Sequence, residues 1–130
     1  MHAKTLDHIV LEVKDLEASL GFYRDLLGME PVRLEEFYAH TVPFASVKAG
    51  ATLIDLFVTD TPRSGLHHFC VEVSDSVKTI VTELKAHDVP YSDLGNRFGA
   101  KGQGTSVYVK DPDGYSIEIR TYVDMPSQSS

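Results

Sequence analysis

Apolar and polar residues alternate with a period of two over residues 5–13, and from Leu16 to Leu27 the apolar residues recur at helical spacing. Alternation is typical of a half-buried strand, and the longer period is typical of an amphipathic helix. Asp15 is a suitable N-cap for this helix, and Gly28 is a suitable residue to end it. Three further strands are predicted in this half of the chain, at residues 31–36, 41–48 and 52–59.

The second half shows the same order of patterns after a linker at residues 61–65. Residues 66–73 alternate as a strand does, and apolar spacing over residues 75–87 predicts a helix. Residues 111–114, Asp-Pro-Asp-Gly, form a typical tight turn between two strands. The remaining strands are predicted at residues 90–97, 104–110 and 115–123. The chain is therefore predicted to be an α+β protein with two tandem βαβββ modules.

The two halves also repeat each other in sequence, because residues 6–15 recur as residues 66–75 without a gap. Such internal repeats set the architecture of a chain and are sought first. The identical pairs are Leu6 and Leu66, His8 and His68, Glu12 and Glu72, Val13 and Val73, and Asp15 and Asp75.

Each half also ends in an apolar strand with one carboxylate in its middle, Asp55 in the first half and Glu118 in the second. Because side chains alternate between the faces of a strand, both carboxylates lie opposite the apolar face. His8 and His68 lie opposite the apolar faces of their own strands by the same reasoning. Two histidines and two carboxylates form a donor set that suits a divalent metal.

The amino-acid composition of the chain limits the classes of molecule that it can bind. The 130 residues carry a formal net charge of −7, which offers no basic surface to nucleic acid or to acidic membranes. The single cysteine precludes an intramolecular disulfide, and no apolar run resembles a signal peptide or a membrane span. We therefore expect a soluble cytoplasmic protein, with a flexible polar tail at residues 124–130.

Several motifs together resemble the vicinal oxygen chelate superfamily, the group of glyoxalases, bleomycin-resistance proteins and dioxygenases. They are the first strand with His8, the helix of residues 22–29 (Phe-Tyr-Arg-Asp-Leu-Leu-Gly-Met), and the run of residues 109–118 that contains Asp-Pro-Asp-Gly-Tyr-Ser-Ile-Glu. The resemblance implies one glyoxalase-like domain over residues 4–123, made of modules 4–60 and 65–123. It also implies an open, barrel-like sheet around a metal, and a homodimer in which modules pair within one chain or are exchanged between two.

Carried over by position, the resemblance implies that His8, Asp55, His68 and Glu118 bind a divalent metal such as Ni, Zn, Mn, Co or Fe(II). Glyoxalase I and the related epimerases use four protein ligands, so Asp55 favours a lyase or isomerase that acts on a small molecule through a metal-stabilised enediolate. Glu118 is the first candidate for the catalytic base, and Asp55 is the second.

Three other functions stay open. An Fe(II) extradiol dioxygenase or a thiol transferase resembling fosfomycin-resistance enzymes needs three protein ligands to its metal, and a bleomycin-resistance-like binding protein needs none.

Residues 99–104 are predicted to form a mobile glycine-rich loop over the site. The candidate pocket residues are Phe44, Phe57, Arg97 and Tyr108.

Overall fold

Two four-stranded sheets hold all eight strands of the computed structural model, which describes residues 2, 6–63, 65, 68–99 and 101–123. The chain divides into two compact units, residues 1–65 (unit 1) and 66–130 (unit 2). Thr5, Leu66 and the predicted tail at 124–130 lie outside the described residues. None of the helices in the described ranges is long and apolar enough to cross a membrane.

Unit 1 has the strand order β1-β4-β3-β2, with β1 parallel to β4 and the other neighbours antiparallel. Helix α1 begins after Asp15, whose side chain accepts a hydrogen bond from the Ala18 amide, and it continues as a π-helical segment. Gly28 follows in the left-handed region, as expected for a helix end. The elements are β1 His8–Val13, α1 Leu16–Leu20, the π-helix Gly21–Leu26, β2 Glu30–Val32, α2 Leu34–Tyr38, β3 Ala45–Ala49 and β4 Thr52–Val58.

Unit 2 repeats this topology with the order β5-β8-β7-β6, in which β5 is parallel to β8. Helix α3 begins after Ser76, whose hydroxyl accepts a hydrogen bond from the Thr79 amide. The elements are β5 Phe69–Glu72, α3 Val77–Ala86, β6 Tyr91–Gly99, β7 Gly102–Lys110 and β8 Ser116–Thr121. The α+β class and the repeated βαβββ order are confirmed.

Two local predictions were wrong. The strand expected at residues 31–36 ends at Val32, because Arg33 adopts a left-handed conformation (φ 60°) and helix α2 follows. The segment 99–104, predicted as a glycine-rich loop, belongs largely to strands, since Gly99 ends β6 and pairs with Gly102, where β7 begins.

The hydrophobic core of each unit lies on the sheet face that the period-two pattern predicted. Leu11 and Leu56 are fully buried in unit 1, as is Ile117 in unit 2, where Leu84 of helix α3 is also buried. Burying one such side chain stabilises the fold by about 1.5–3 kcal/mol. Asp55 and Glu118, which point to the other face of their strands, are nevertheless only 5% exposed, so each must be stabilised by polar partners.

Candidate metal-ligand pairs

Unit 1 brings His8 and Asp55 together across two parallel strands. Val10 is opposite Asp55 in the register of β1 and β4, so His8 lies two residues before that position on the same strand face. The Nε2 atom of His8 lies 3.8 Å from Oδ2 of Asp55. The other oxygen, Oδ1, accepts a hydrogen bond of 2.7 Å from the hydroxyl of Ser46.

Two further side chains support this pair. Nδ1 of His8 lies 2.8 Å from Oδ2 of Asp7, and this contact raises the pKa of His8, with a smaller contribution from Asp55. A carboxylate on Nδ1 fixes the ring orientation and directs Nε2 towards its ligand, an arrangement common around metal-bound histidines. The guanidinium of Arg33 donates to Ser46 over 3.3 Å and orients that hydroxyl in turn.

Unit 2 brings His68 and Glu118 together in the same way. Cys70 is opposite Glu118 in the register of β5 and β8, and His68 again lies two residues before that position. The Nε2 atom of His68 lies 3.4 Å from Oε1 of Glu118. The hydroxyl of Tyr108 donates to the same oxygen over 3.2 Å, and its ring packs edge-on against the imidazole of His68.

The other oxygen of Glu118 is bound by a buried arginine. Arg120 contacts Oε2 through Nε at 3.1 Å and through Nη2 at 2.9 Å. Burial alone would raise the pKa of Glu118, but hydrogen bonds from Arg120, Ser106 and Tyr108 outweigh it and lower the pKa. Glu118 is therefore ionised at neutral pH, as a metal ligand or a general base must be.

Among the predicted pocket residues, Tyr108 and Arg97 lie near the pair in unit 2. The Arg97 guanidinium stacks on the Tyr108 ring at 5.1 Å and donates to the hydroxyl and the carbonyl of Ser106. It also donates to the carbonyls of Asp93 and Gly95, beside a bulge in β6. The hydrogen bonds of Arg97 thus hold the backbone of the bulge.

The two phenylalanines lie in unit 1. Phe57 is on the same strand face as Asp55 and is 43% exposed, and Phe44 is half-buried just before β3. Phe57 therefore leaves apolar surface two residues from Asp55. Within the described ranges, no group of three or more His, Cys, Asp or Glu side chains is close enough to hold a metal ion, and each unit by itself contributes two such donors.

The polar partners of the two carboxylates were not predicted from the sequence; they are Ser46, Arg33, Ser106 and Arg120. A signal for Arg120 was available, because it lies two residues after Glu118 and therefore on the same strand face. Ser46 and Ser106 carry no comparable signal in the sequence.

A family model described as the Glyoxalase/Bleomycin resistance protein/Dioxygenase superfamily matches residues 5–119 of the chain. The chain belongs to this superfamily. The fold described above is the glyoxalase-like fold of its members, and the predicted family is confirmed.

Curated members of the superfamily that resemble this chain include two enzymes. Mitochondrial methylmalonyl-CoA epimerase of Mus musculus is 28% identical over 127 residues, which cover 88% of this chain and 71% of that protein. Lactoylglutathione lyase of Neisseria meningitidis serogroup B is 33% identical over 123 residues, which cover 86% of each chain. Among solved structures, virulence protein STM3117 of Salmonella typhimurium matches with a TM-score of 0.77 at 27% identity, covering 95% of this chain and 100% of that one.

Proposed function

We propose that this protein is a divalent-metal-dependent lyase or isomerase that moves a proton next to a carbonyl group of a small molecule. One observation carries the proposal. In both units one oxygen of a buried carboxylate is held by a polar neighbour, while its other oxygen faces Nε2 of a histidine. Two pairs of this kind supply four nitrogen and oxygen donors, a set that suits a divalent metal.

We propose His8, Asp55, His68 and Glu118 as the metal ligands. This set of donors fits a divalent metal ion, because two imidazoles and two carboxylates suit Zn, Ni, Co, Mn or Fe(II). Asp7 on His8 is the kind of outer carboxylate that metal-binding histidines usually have. A bound divalent cation would supply Lewis-acid stabilisation of negative charge that develops on the substrate oxygens.

Glu118 is our first candidate for the base. It is ionised, and Oε1 contacts the neutral hydroxyl of Tyr108 and the ring of His68, whereas Oε2 is bound by Arg120. In the proposed reaction Oε1 accepts the proton from the carbon beside the carbonyl and returns it to the neighbouring carbon, which gives isomerisation. Epimerisation instead needs a second group to return a proton on the opposite face. Asp55, which has no arginine on its carboxylate in the described structure, is the second candidate.

The two named relatives suggest the reactions to test first. Purified protein would be stripped of metal, loaded separately with Ni, Zn, Co, Mn or Fe(II), and assayed for methylmalonyl-CoA epimerisation and for lactoylglutathione formation. Deuterium incorporation from D₂O into the substrate would report proton transfer directly. We expect metal-dependent exchange with one of these substrates.

Other outcomes would contradict the proposal. Catechol cleavage restored by Fe(II) alone would indicate the dioxygenase class, and thiol transfer to fosfomycin would indicate the transferase class. Tight binding of an apolar ligand by a protein that takes up no metal would indicate a binding protein. We also propose that the chain acts as a homodimer in the cytoplasm, which light scattering on purified protein and fractionation of the source cells would test.

A further inference from the structure

The guanidinium of Arg120, next to the candidate metal ligand Glu118, is buried and is held by contacts on several sides. It is only 4% exposed, and two of its nitrogens contact the same oxygen, Oε2 of Glu118, at 2.9 and 3.1 Å. An arginine buried in this way loses its hydration, and the charged hydrogen bonds to Glu118 compensate for that loss. The carboxylate therefore cannot turn about its axis without breaking both contacts.

The remaining contacts of Arg120 fix the guanidinium from the other side. Nη1 donates to the carbonyl of Arg97 over 2.9 Å, and the guanidinium carbon lies 5.6 Å from the centre of the Tyr122 ring. Gly104 on β7 leaves the space that this arrangement needs. A Cβ atom at Gly104 would lie 2.9 Å from Nη1 of Arg120 and 3.0 Å from the carbonyl oxygen of Thr121.

The opposite oxygen of Glu118 has a different environment. Oε1 lies 3.4 Å from Nε2 of His68 and accepts the hydrogen bond of 3.2 Å from Tyr108. Neither partner is a permanent cation. Arg120 thus divides the two oxygens of Glu118 into one that is anchored and one that remains available.

We propose that Arg120 is a positioning residue which binds Oε2 of Glu118 and thereby leaves Oε1 as the single oxygen that this carboxylate presents beside His68. Gly104 assists by leaving room for the guanidinium. This inference rests on the proposed function, because it assigns to Oε1 the part of metal ligand or proton acceptor.

The first test does not need metal or activity. Crystal structures of metal-free wild type and Arg120→Met would show the carboxylate directly. We expect Glu118 to turn in the variant, so that the contact between Oε1 and the Tyr108 hydroxyl is lost. Glu118 in its original orientation, with that contact kept, would overturn the proposal. If Arg120→Met does not fold, Gly104→Ala and Arg120→Lys allow the same comparison.

The second test measures Mn²⁺ affinity by titration calorimetry. Losing the partner that orients a metal ligand weakens binding by about 10–100-fold, and we expect this for Arg120→Met, with partial recovery in Arg120→Lys. Lys101→Met is the matched control, since Lys101 also pairs with a glutamate of unit 2, Glu72 at 2.9 Å, but is 67% exposed. It should bind Mn²⁺ as wild type does.

The outcomes separate the two proposals. If wild type and Arg120→Met bind Mn²⁺ equally well, the proposed role of Arg120 is wrong and the proposed function is unaffected. Wild type that binds no divalent metal would contradict the proposed function, and the metal-free crystal structures would then decide whether Arg120 orients Glu118.

Discussion

Asp55 in unit 1 and Glu118 in unit 2 lie at equivalent places in their sheets but are held by different partners. Asp55 is opposite Ser46 on the antiparallel neighbour, and Glu118 is opposite Tyr108. Each carboxylate has one oxygen anchored and one oxygen facing a histidine, at 3.8 Å in unit 1 and at 3.4 Å in unit 2. The arrangement common to both units is therefore the presentation of one oxygen beside Nε2.

The anchors differ in strength. When Asp55 is aligned with Glu118, Phe57 of unit 1 takes the place that Arg120 has in unit 2. Asp55 is consequently held by the neutral hydroxyl of Ser46, whereas Glu118 is held by a permanent cation. Two nitrogens of a guanidinium bind one oxygen of Glu118, whereas a single hydroxyl binds Asp55, so Glu118 is the more firmly oriented of the two carboxylates.

The largest expected effect comes from Glu118→Gln. The amide keeps the shape of the side chain but cannot accept a proton as a base, and general-base catalysis contributes about 10²–10⁴-fold to the rate. We expect kcat for the metal-loaded enzyme to fall within that range, measured as deuterium exchange into substrate. Asp55→Asn is the matching substitution in unit 1. A larger loss of kcat in Asp55→Asn than in Glu118→Gln would indicate that Asp55, and not Glu118, is the base.

Core substitutions test whether both sheets are packed alike. Leu11 and Ile117 are each 0% exposed, so alanine at either position should reduce the free energy of unfolding by about 2–5 kcal/mol. Urea unfolding followed by circular dichroism measures this. Val58→Ala is the control, because Val58 is 40% exposed and its truncation should cost less than about 0.5 kcal/mol. A neutral result at Leu11 or Ile117 would contradict the packing of that sheet.

A smaller effect is expected from Ser46→Ala, which removes the anchor of Asp55 at 2.7 Å. A hydrogen bond to a charged group contributes about 1.5–3 kcal/mol to stability, so the midpoint of thermal unfolding should be lower in Ser46→Ala than in wild type. Mn²⁺ affinity should also fall, by about 10-fold. Ser92→Ala is a suitable control because Ser92 is exposed on β6. Unchanged affinity in Ser46→Ala would show that Asp55 does not depend on this hydroxyl for its orientation.

The smallest effect is a dependence of stability on pH that comes from Glu12. Arg63 binds Glu12 through its amide and its guanidinium and lowers the pKa of Glu12. Stability from this pair is present above the ordinary glutamate pKa and is lost as the pH falls through the lower folded-state value. Glu12→Gln should therefore be less stable than wild type at pH 7, and the difference should shrink towards pH 3. Urea midpoints at both values measure it, and a difference that persists in acid would contradict the ion pair.

The repeat and the alternation in the sequence were sufficient to predict the two units and the strand faces that carry Asp55 and Glu118. They failed at residues 31–36, where apolar spacing did not reveal the left-handed Arg33 that ends β2. They also failed at residues 99–104, since glycines can close a hairpin as readily as they form a loop.

The partners of the two carboxylates could not be predicted as firmly as their positions. Alternation places Arg120 on the same face as Glu118, but it does not say which way a long side chain turns. That direction depends on the space at Gly104, which lies on another strand. Arg97 shows the same limit, because its guanidinium holds the β6 bulge through backbone carbonyls that sequence patterns do not reveal.

The most direct test of the central claim is the metal content of purified, reconstituted protein, compared between wild type and one variant of each pair. We expect about one divalent ion per chain in wild type and a loss of it in both His8→Ala and His68→Ala. Wild type without metal, or a His8→Ala protein that keeps its ion as firmly as wild type, would contradict the claim that the two His–carboxylate pairs serve one metal.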